Sequence, residues 1–257
     1  MQGWKIVVHS IRMVFGNIGA ALRVSLLLYL IQMATSLYAG GRIGHQMMAL
    51  GQMGQIPEGA LGYSLLLLVV TVLTSLWIAV AWHRYVLLEE EPGAFLPPFR
   101  MPEILQYLWL SLLIGIIMIV AGIVLGIVAG ALVATLAGGF GEGGPSKGSM
   151  IMIMLIVYFP LIYLFYRLSP ALPAAALGKK MGLGEAWSVT APASGAIFQV
   201  SILGVGAMIV LSVPQSYMNP GSLVSLVYTG VVNWVYMMVG ISVLTTIYGI
   251  YVEGREI

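Results

Sequence analysis

The sequence predicts an all-α polytopic membrane protein, a single bundle of six transmembrane helices with short amphipathic helices at the cytoplasmic interface. Three observations predict it. Of 257 residues, 60% are apolar and only 8% charged, with a mean hydropathy of +1.00; about a quarter of the residues in a soluble domain are charged. The apolar residues are gathered into runs of about 20 or more. A helix needs that length to cross a hydrocarbon layer while satisfying its own backbone hydrogen bonds. None of the 11 Lys and Arg residues falls at the centre of a long run.

The runs place spans at 17–39, 61–86, 105–136, 150–172, 196–213 and 223–251. Turn-rich gaps separate them, notably 39–59, the GGFGEGGPSKG stretch at 138–148 and PQSYMNPG at 214–221. None is long enough for a soluble domain. The whole of 1–257 therefore reads as one transmembrane domain of three helical hairpins, about 1–90, 91–180 and 181–257. Each hairpin opens with a short amphipathic stretch: GWKIVVHSIRMVF, FRMPEILQYLWL and GLGEAWSVTAPA. In the first, Trp4, Val7, Val8, Ile11, Val14 and Phe15 share one helical face and Lys5, His9 and Arg12 another, the pattern of a helix in the headgroup plane. No small-residue cleavage site follows, so a structural segment is expected rather than a removable signal peptide.

Charge placement orients the spans. Lys5, Arg12, Arg23, Arg84, Arg100, Arg167, Lys179, Lys180 and Arg255 lie on the flanks shared with the N-terminus, and only Arg42 and Lys147 on the opposite side. The positive-inside rule then puts both termini in the cytoplasm of a bacterial cell, with the protein in its inner membrane. Lys5, Arg12, Arg23, Arg84, Arg167, Lys179 and Lys180 are the residues expected at lipid headgroups, Arg23 by snorkelling.

Composition and spacing also exclude chemistry. There is no cysteine, hence no disulfide, thiolate metal site or cysteine nucleophile. No basic block suggests nucleic acid. The spans lack the buried carboxylates or bases that ion-coupled transporters place at depth. Their polar residues are Gln32, Thr35, Thr71, Thr74, Ser75, Tyr158, Asn233, Ser242, Thr245 and Thr246, suited to hydrogen bonds between helices. His9, His45 and His83 fall in three different segments without an i,i+4 pair, and no catalytic fingerprint occurs. His83, in AWHRY, is the one residue with any claim as a pigment ligand, against the plainer expectation of an aromatic-belt histidine. Glu89, Glu90 and Glu91 read as a solvated helix end. Pro160 interrupts the fourth span and predicts a kink. No metal site and no enzymatic activity are expected.

Two features invite a partner or ligand. Gly122, Gly126, Gly130, Ala134 and Gly138 recur every fourth residue and form a smooth stripe that lets another backbone approach closely. A helix of the same chain is the ordinary occupant. A helix of another integral membrane protein, or a flat lipid, quinone or pigment, is the alternative; no cofactor is otherwise predicted. The second feature is the loop HQMMALGQMGQ, where His45 stands beside Met47, Met48 and Met53, soft ligands suited to Cu(I). Sixteen methionines spread over the whole chain argue that Met is general apolar filler.

The segments GWKIVVHSIRMVFGNIGAALRVSLLLYL, AWHRYVLLEEEP and RLSPALPAAALGKKMGLGEAWSVT resemble parts of uncharacterised six-helix inner-membrane proteins of alphaproteobacteria. Those are in turn distantly similar to the membrane region of some bacterial glycerophosphodiester phosphodiesterases. The resemblance implies an inner-membrane bundle and no assigned activity, and it carries over no catalytic residue, since the phosphodiesterase domain has no counterpart here. The functional expectation is an accessory or scaffold subunit of a larger membrane complex, such as a respiratory or photosynthetic one, held to lipids and other membrane proteins by helix packing. A carrier or channel for a neutral or lipidic substrate is the main alternative, and copper handling by the Met/His loop a minor one.

Overall fold

Each apolar run becomes a helix. The computed structural model describes residues 2–49, 59–136, 147–219 and 221–256, and all regular structure among them is helical. The elements are α1 (Gln2–Gly16), α2 (Ile18–Ala49), α3 (Ala60–Leu88), α4 (Met101–Leu136), α5 (Lys147–Ile153), a π-helical turn (Met154–Tyr158), α6 (Phe159–Leu168), α7 (Ala171–Ala176), α8 (Leu183–Val189), α9 (Ser194–Ser216) and α10 (Leu223–Tyr251). Six stretches are long and apolar enough to cross a membrane: α2, α3, α4, the run from α5 through α7, α9 and α10.

Several boundaries differ from those expected. Helix α2 continues through the start of the 39–59 gap to Ala49, and Arg42 stacks on Tyr38, 5.6 Å from the ring centroid, across one turn of this extension. Helix α4 absorbs the stretch before the third span and begins at Met101, because Pro102 occupies the first turn, where its missing N–H leaves no bond unmade. Helix α9 runs past Pro214 to Ser216. Before the third hairpin, in contrast, α8 is a separate short helix, followed by a 3-10 turn at Ala191–Ala193.

The Pro160 interruption takes a specific form. The π turn widens the helix immediately ahead of Pro160, which accommodates the missing N–H within a helix that runs on from the turn into α6. The same span ends in a Schellman motif. Gly178 has φ +72°, its N–H donates to the Ala175 carbonyl at 3.0 Å, and the Lys179 N–H donates to Ala174 at 2.9 Å.

Packing is concentrated at the end of the bundle where the chain termini meet. Helix α10 is its hub, contributing Leu244 and Tyr248 to a cluster with α3, α4 and α7, Trp234 and Met238 to one with α1, α2 and α3, and Val243 and Ile247 to one with α1 and α9. Away from this end α9 and α10 bury little. All buried residues of α9 lie between Ala196 and Ser201, and α10 buries only Ser225 before Trp234. Of the most apolar window of each helix, 44% is buried in α10 and only 11% in α4.

Candidate functional site

Consecutive polar residues of α10 reach three different neighbours. The Ser242 hydroxyl donates to its own helix at the Met238 carbonyl (2.8 Å) and accepts from Trp82 Nε1–H (2.8 Å). Thr245 donates to the Ile241 carbonyl (2.9 Å) and lies 2.8 Å from His83 Nδ1. Thr246 meets Ser10 of α1 at 2.9 Å. His83 Nδ1 thus shares a hydrogen bond with Thr245 Oγ1, and its Nε2 lies 3.4 Å from the Tyr107 hydroxyl. His83 is fully buried, with both nitrogens engaged inside the protein. The aromatic-belt placement is thereby corrected, because α3 turns this ring toward α10 and α4 rather than outward.

Trp234 Nε1–H donates to Ser25 of α2 (2.8 Å), repeating the Trp-to-hydroxyl bond of the Trp82 pair. Of the polar residues expected to join helices, Ser242, Thr245 and Thr246 do so. Thr35 and Thr74 instead bond back to carbonyls of their own helices, Asn233 and Tyr158 are exposed, and Gln32 Oε1 is enclosed without a hydrogen-bond partner among the described residues.

The basic residues expected at headgroups divide into two groups. Arg84 is mostly buried and bonds Glu90 (2.6 Å) and the Ala176 carbonyl (3.0 Å), with Glu103 at 3.5 Å, joining the exits of α3 and α7. Lys179 pairs with Glu253 at 2.9 Å, and that bond holds its amine above its ordinary value. Arg167 is only 4% exposed. Its Nε–H donates to Thr190 (2.9 Å), its NH1 to Ser194 (2.9 Å) and Tyr163 (3.1 Å), and its NH2 to the Trp187 carbonyl (2.8 Å). These three side chains are committed to holding the hairpins together. Lys5, Arg12, Arg23 and Lys180 remain exposed, and no ion pair involves them among the described residues.

Glu90 centres the ion-pair group. Burial pushes its carboxyl up, but hydrogen bonds from Arg100 and Arg84 outweigh burial and hold it below the usual 4.5. His9, on α1, is lowered from its usual 6.5, first by burial and then by the nearby Arg12 charge.

The small-residue stripe of α4 lies at the margin of the packed face. Ala129 and Val133, each one position before a stripe residue, are buried at 1% and 0% exposure. A Cβ at Gly122 would approach Leu161 of α6 at 3.7 Å, but at Gly126 and Gly130 it would meet nothing within 4 Å among the described residues, and Ala134 is exposed. Gly138 lies outside the described residues. So does Met53, as do the side chains of His45, Met47 and Met48 on the last turns of α2. Among the described residues no three His, Asp or Glu side chains converge as a metal site. An open apolar groove of about 490 Å³ lies along Met218, Leu223, Val224, Val227, Tyr228 and Val231.

The Arg167 centre and the Ser25–Trp234 pair escaped sequence reasoning. Only the basic-aromatic composition of YRLS and GEAW hinted at the first, and a serine among leucines gave no hint of the second. Compared with protein-family models, with curated proteins and with solved structures, the chain matches none.

Proposed function

We propose that this chain is a non-catalytic subunit of a larger complex in the bacterial inner membrane, with both termini cytoplasmic, and that it acts by packing against other integral membrane proteins. The observation that carries this reading is the open stretch of the α4 stripe. Among the described residues, Gly126 and Gly130 have no neighbour from another helix within reach of a Cβ. Glycine weakens a helix by about 1 kcal/mol relative to alanine, a cost offset where close backbone approach uses the space. A helix from another protein would use it here. The little-buried outer halves of α9 and α10 leave further apolar surface for such a neighbour. The orientation rests on the basic flanks, nine of the eleven cations lying on the terminal side in the sequence reading.

Extraction in a mild detergent followed by native electrophoresis and mass spectrometry tests the proposal. The expected result is co-migration with a stoichiometric membrane partner; migration of the chain alone overturns it. The groove along Val224, Val227 and Val231 favours one second reading, a carrier for a neutral lipidic substrate, because it is wholly apolar and open at its side. Reconstituted protein that moves a labelled lipid between leaflets would establish that alternative.

A further inference from the structure

We infer that α1 is a receptor for anionic phospholipid headgroups, with Lys5 and Arg12 as the phosphate-binding residues. Helix α1 is three-sided rather than two-sided. Gly3, Ile6, Ser10 and Val14 form a face buried against the bundle. Trp4, Ile11 and Phe15 form a second face, 56%, 39% and 49% exposed. Lys5, His9 and Arg12 recur at i, i+4 and i+7 on the third face, with both cations exposed.

The rotation of α1 is fixed from its first turn. The Gly3 N–H donates to Gln199 Oε1 at 3.1 Å, and a Cβ at Gly3 would fall 2.5 Å from Gln199 Cβ and 2.6 Å from the Ala196 carbonyl. The Ser10–Thr246 contact fixes it again two turns later. A helix locked this way carries its apolar and basic faces at a set angle to each other, as acyl chains and phosphates require of an interfacial helix.

Charge selects the occupant. The first acidic residue in the chain is Glu58, so α1 and α2 contain no carboxylate. The ion pairs among the described residues use Arg84, Arg100, Lys179 and Arg255 instead. Among the described residues Lys5 and Arg12 are therefore cations without an internal counter-ion, beside an exposed tryptophan and phenylalanine. Lys5 and Arg12 stand about 10 Å apart along the helix axis, so they engage separate phosphates.

Native mass spectrometry of the full chain, titrated with phosphatidylglycerol or phosphatidylcholine, tests the inference. The expected result is preferential phosphatidylglycerol adducts that weaken about tenfold or more in Lys5→Gln/Arg12→Gln. They should return in Lys5→Arg/Arg12→Lys and persist in Arg100→Gln, whose cation is already paired with Glu90. Equal adducts with both lipids, or equal losses in the Lys5/Arg12 and Arg100 variants, overturn it. Neither outcome depends on whether the α4 stripe binds a protein.

Discussion

The guanidinium of Arg167 sits over the indole of Trp187, 4.0 Å from the ring centroid, while donating a hydrogen bond to the same residue's carbonyl. Among the described residues this buried cation has no carboxylate partner. Its charge is held by the π face and four neutral acceptors, and the planar fork serves α6, α8 and the start of α9 at once. Arg167→Lys retains charge but loses the fork and the stack, so it is expected to destabilise by about 2 kcal/mol. Trp187→Phe keeps a π face and should cost less, about 0.5–1 kcal/mol. Thermal unfolding in detergent checks the order; a lysine variant as stable as the parent would show that charge rather than geometry matters here.

Gly3 sets how closely α1 approaches α9. Gly3→Val places its Cβ where Gln199 and the Ala196 carbonyl already are, and neither the α9 backbone nor the Cβ of Gln199 can move far. The expected outcome is displacement of α1, read as new proteolytic cleavage near residues 2–16. Gly16→Ala is the control, since a Cβ there meets nothing within 4 Å. An unchanged digestion pattern in Gly3→Val would remove the lock.

Glu90 gives the stability an acid limb. Its folded pKa lies below the ordinary 4.5 because the hydrogen bonds from Arg100 and Arg84 outweigh burial. Its stabilising contribution is therefore fully present above that ordinary value and is lost as pH falls through the folded one. Thermal midpoints measured across this range should fall toward acid, and the fall should be shallower in Glu90→Gln. Parallel curves for parent and variant would place the acid sensitivity elsewhere.

What could be read in advance follows from what lipid and protein interior have in common. Hydropathy located the six spans because partition into hydrocarbon depends on composition. It could not say which side of a span meets a helix, since both environments are equally apolar. That is why α1 reads as two-sided in sequence: Gly3 and Ser10 look like interruptions of its apolar face, yet they line its contact with the bundle. His83 was misplaced for the same reason, as AWHRY describes a helix end and only the facing Thr245 and Tyr107 make it internal. Ser242, Thr245 and Thr246 were legible because polar groups within a span need partners. Arg167 was not, because three of its four acceptors come from a segment 20 to 27 residues downstream.

Gly126 separates packing within the chain from packing between chains. Among the described residues, no atom outside its own stretch of α4 lies within 4 Å of the position its Cβ would occupy, so a side chain at Gly126 meets no neighbouring helix at its first carbon, and replacing a helical glycine there should be neutral to stabilising by up to about 1 kcal/mol. Gly122→Leu differs, because even a Cβ comes to 3.7 Å from Leu161 and the larger side chain must push against α6. If a foreign helix lies along the stripe, Gly126→Leu will leave the thermal midpoint of the purified chain intact and abolish co-purification of its neighbour. Gly122→Leu will lower the midpoint itself. Retention of the same partner by Gly126→Leu would exclude this stretch of α4 as the docking face and move the search to the outer halves of α9 and α10.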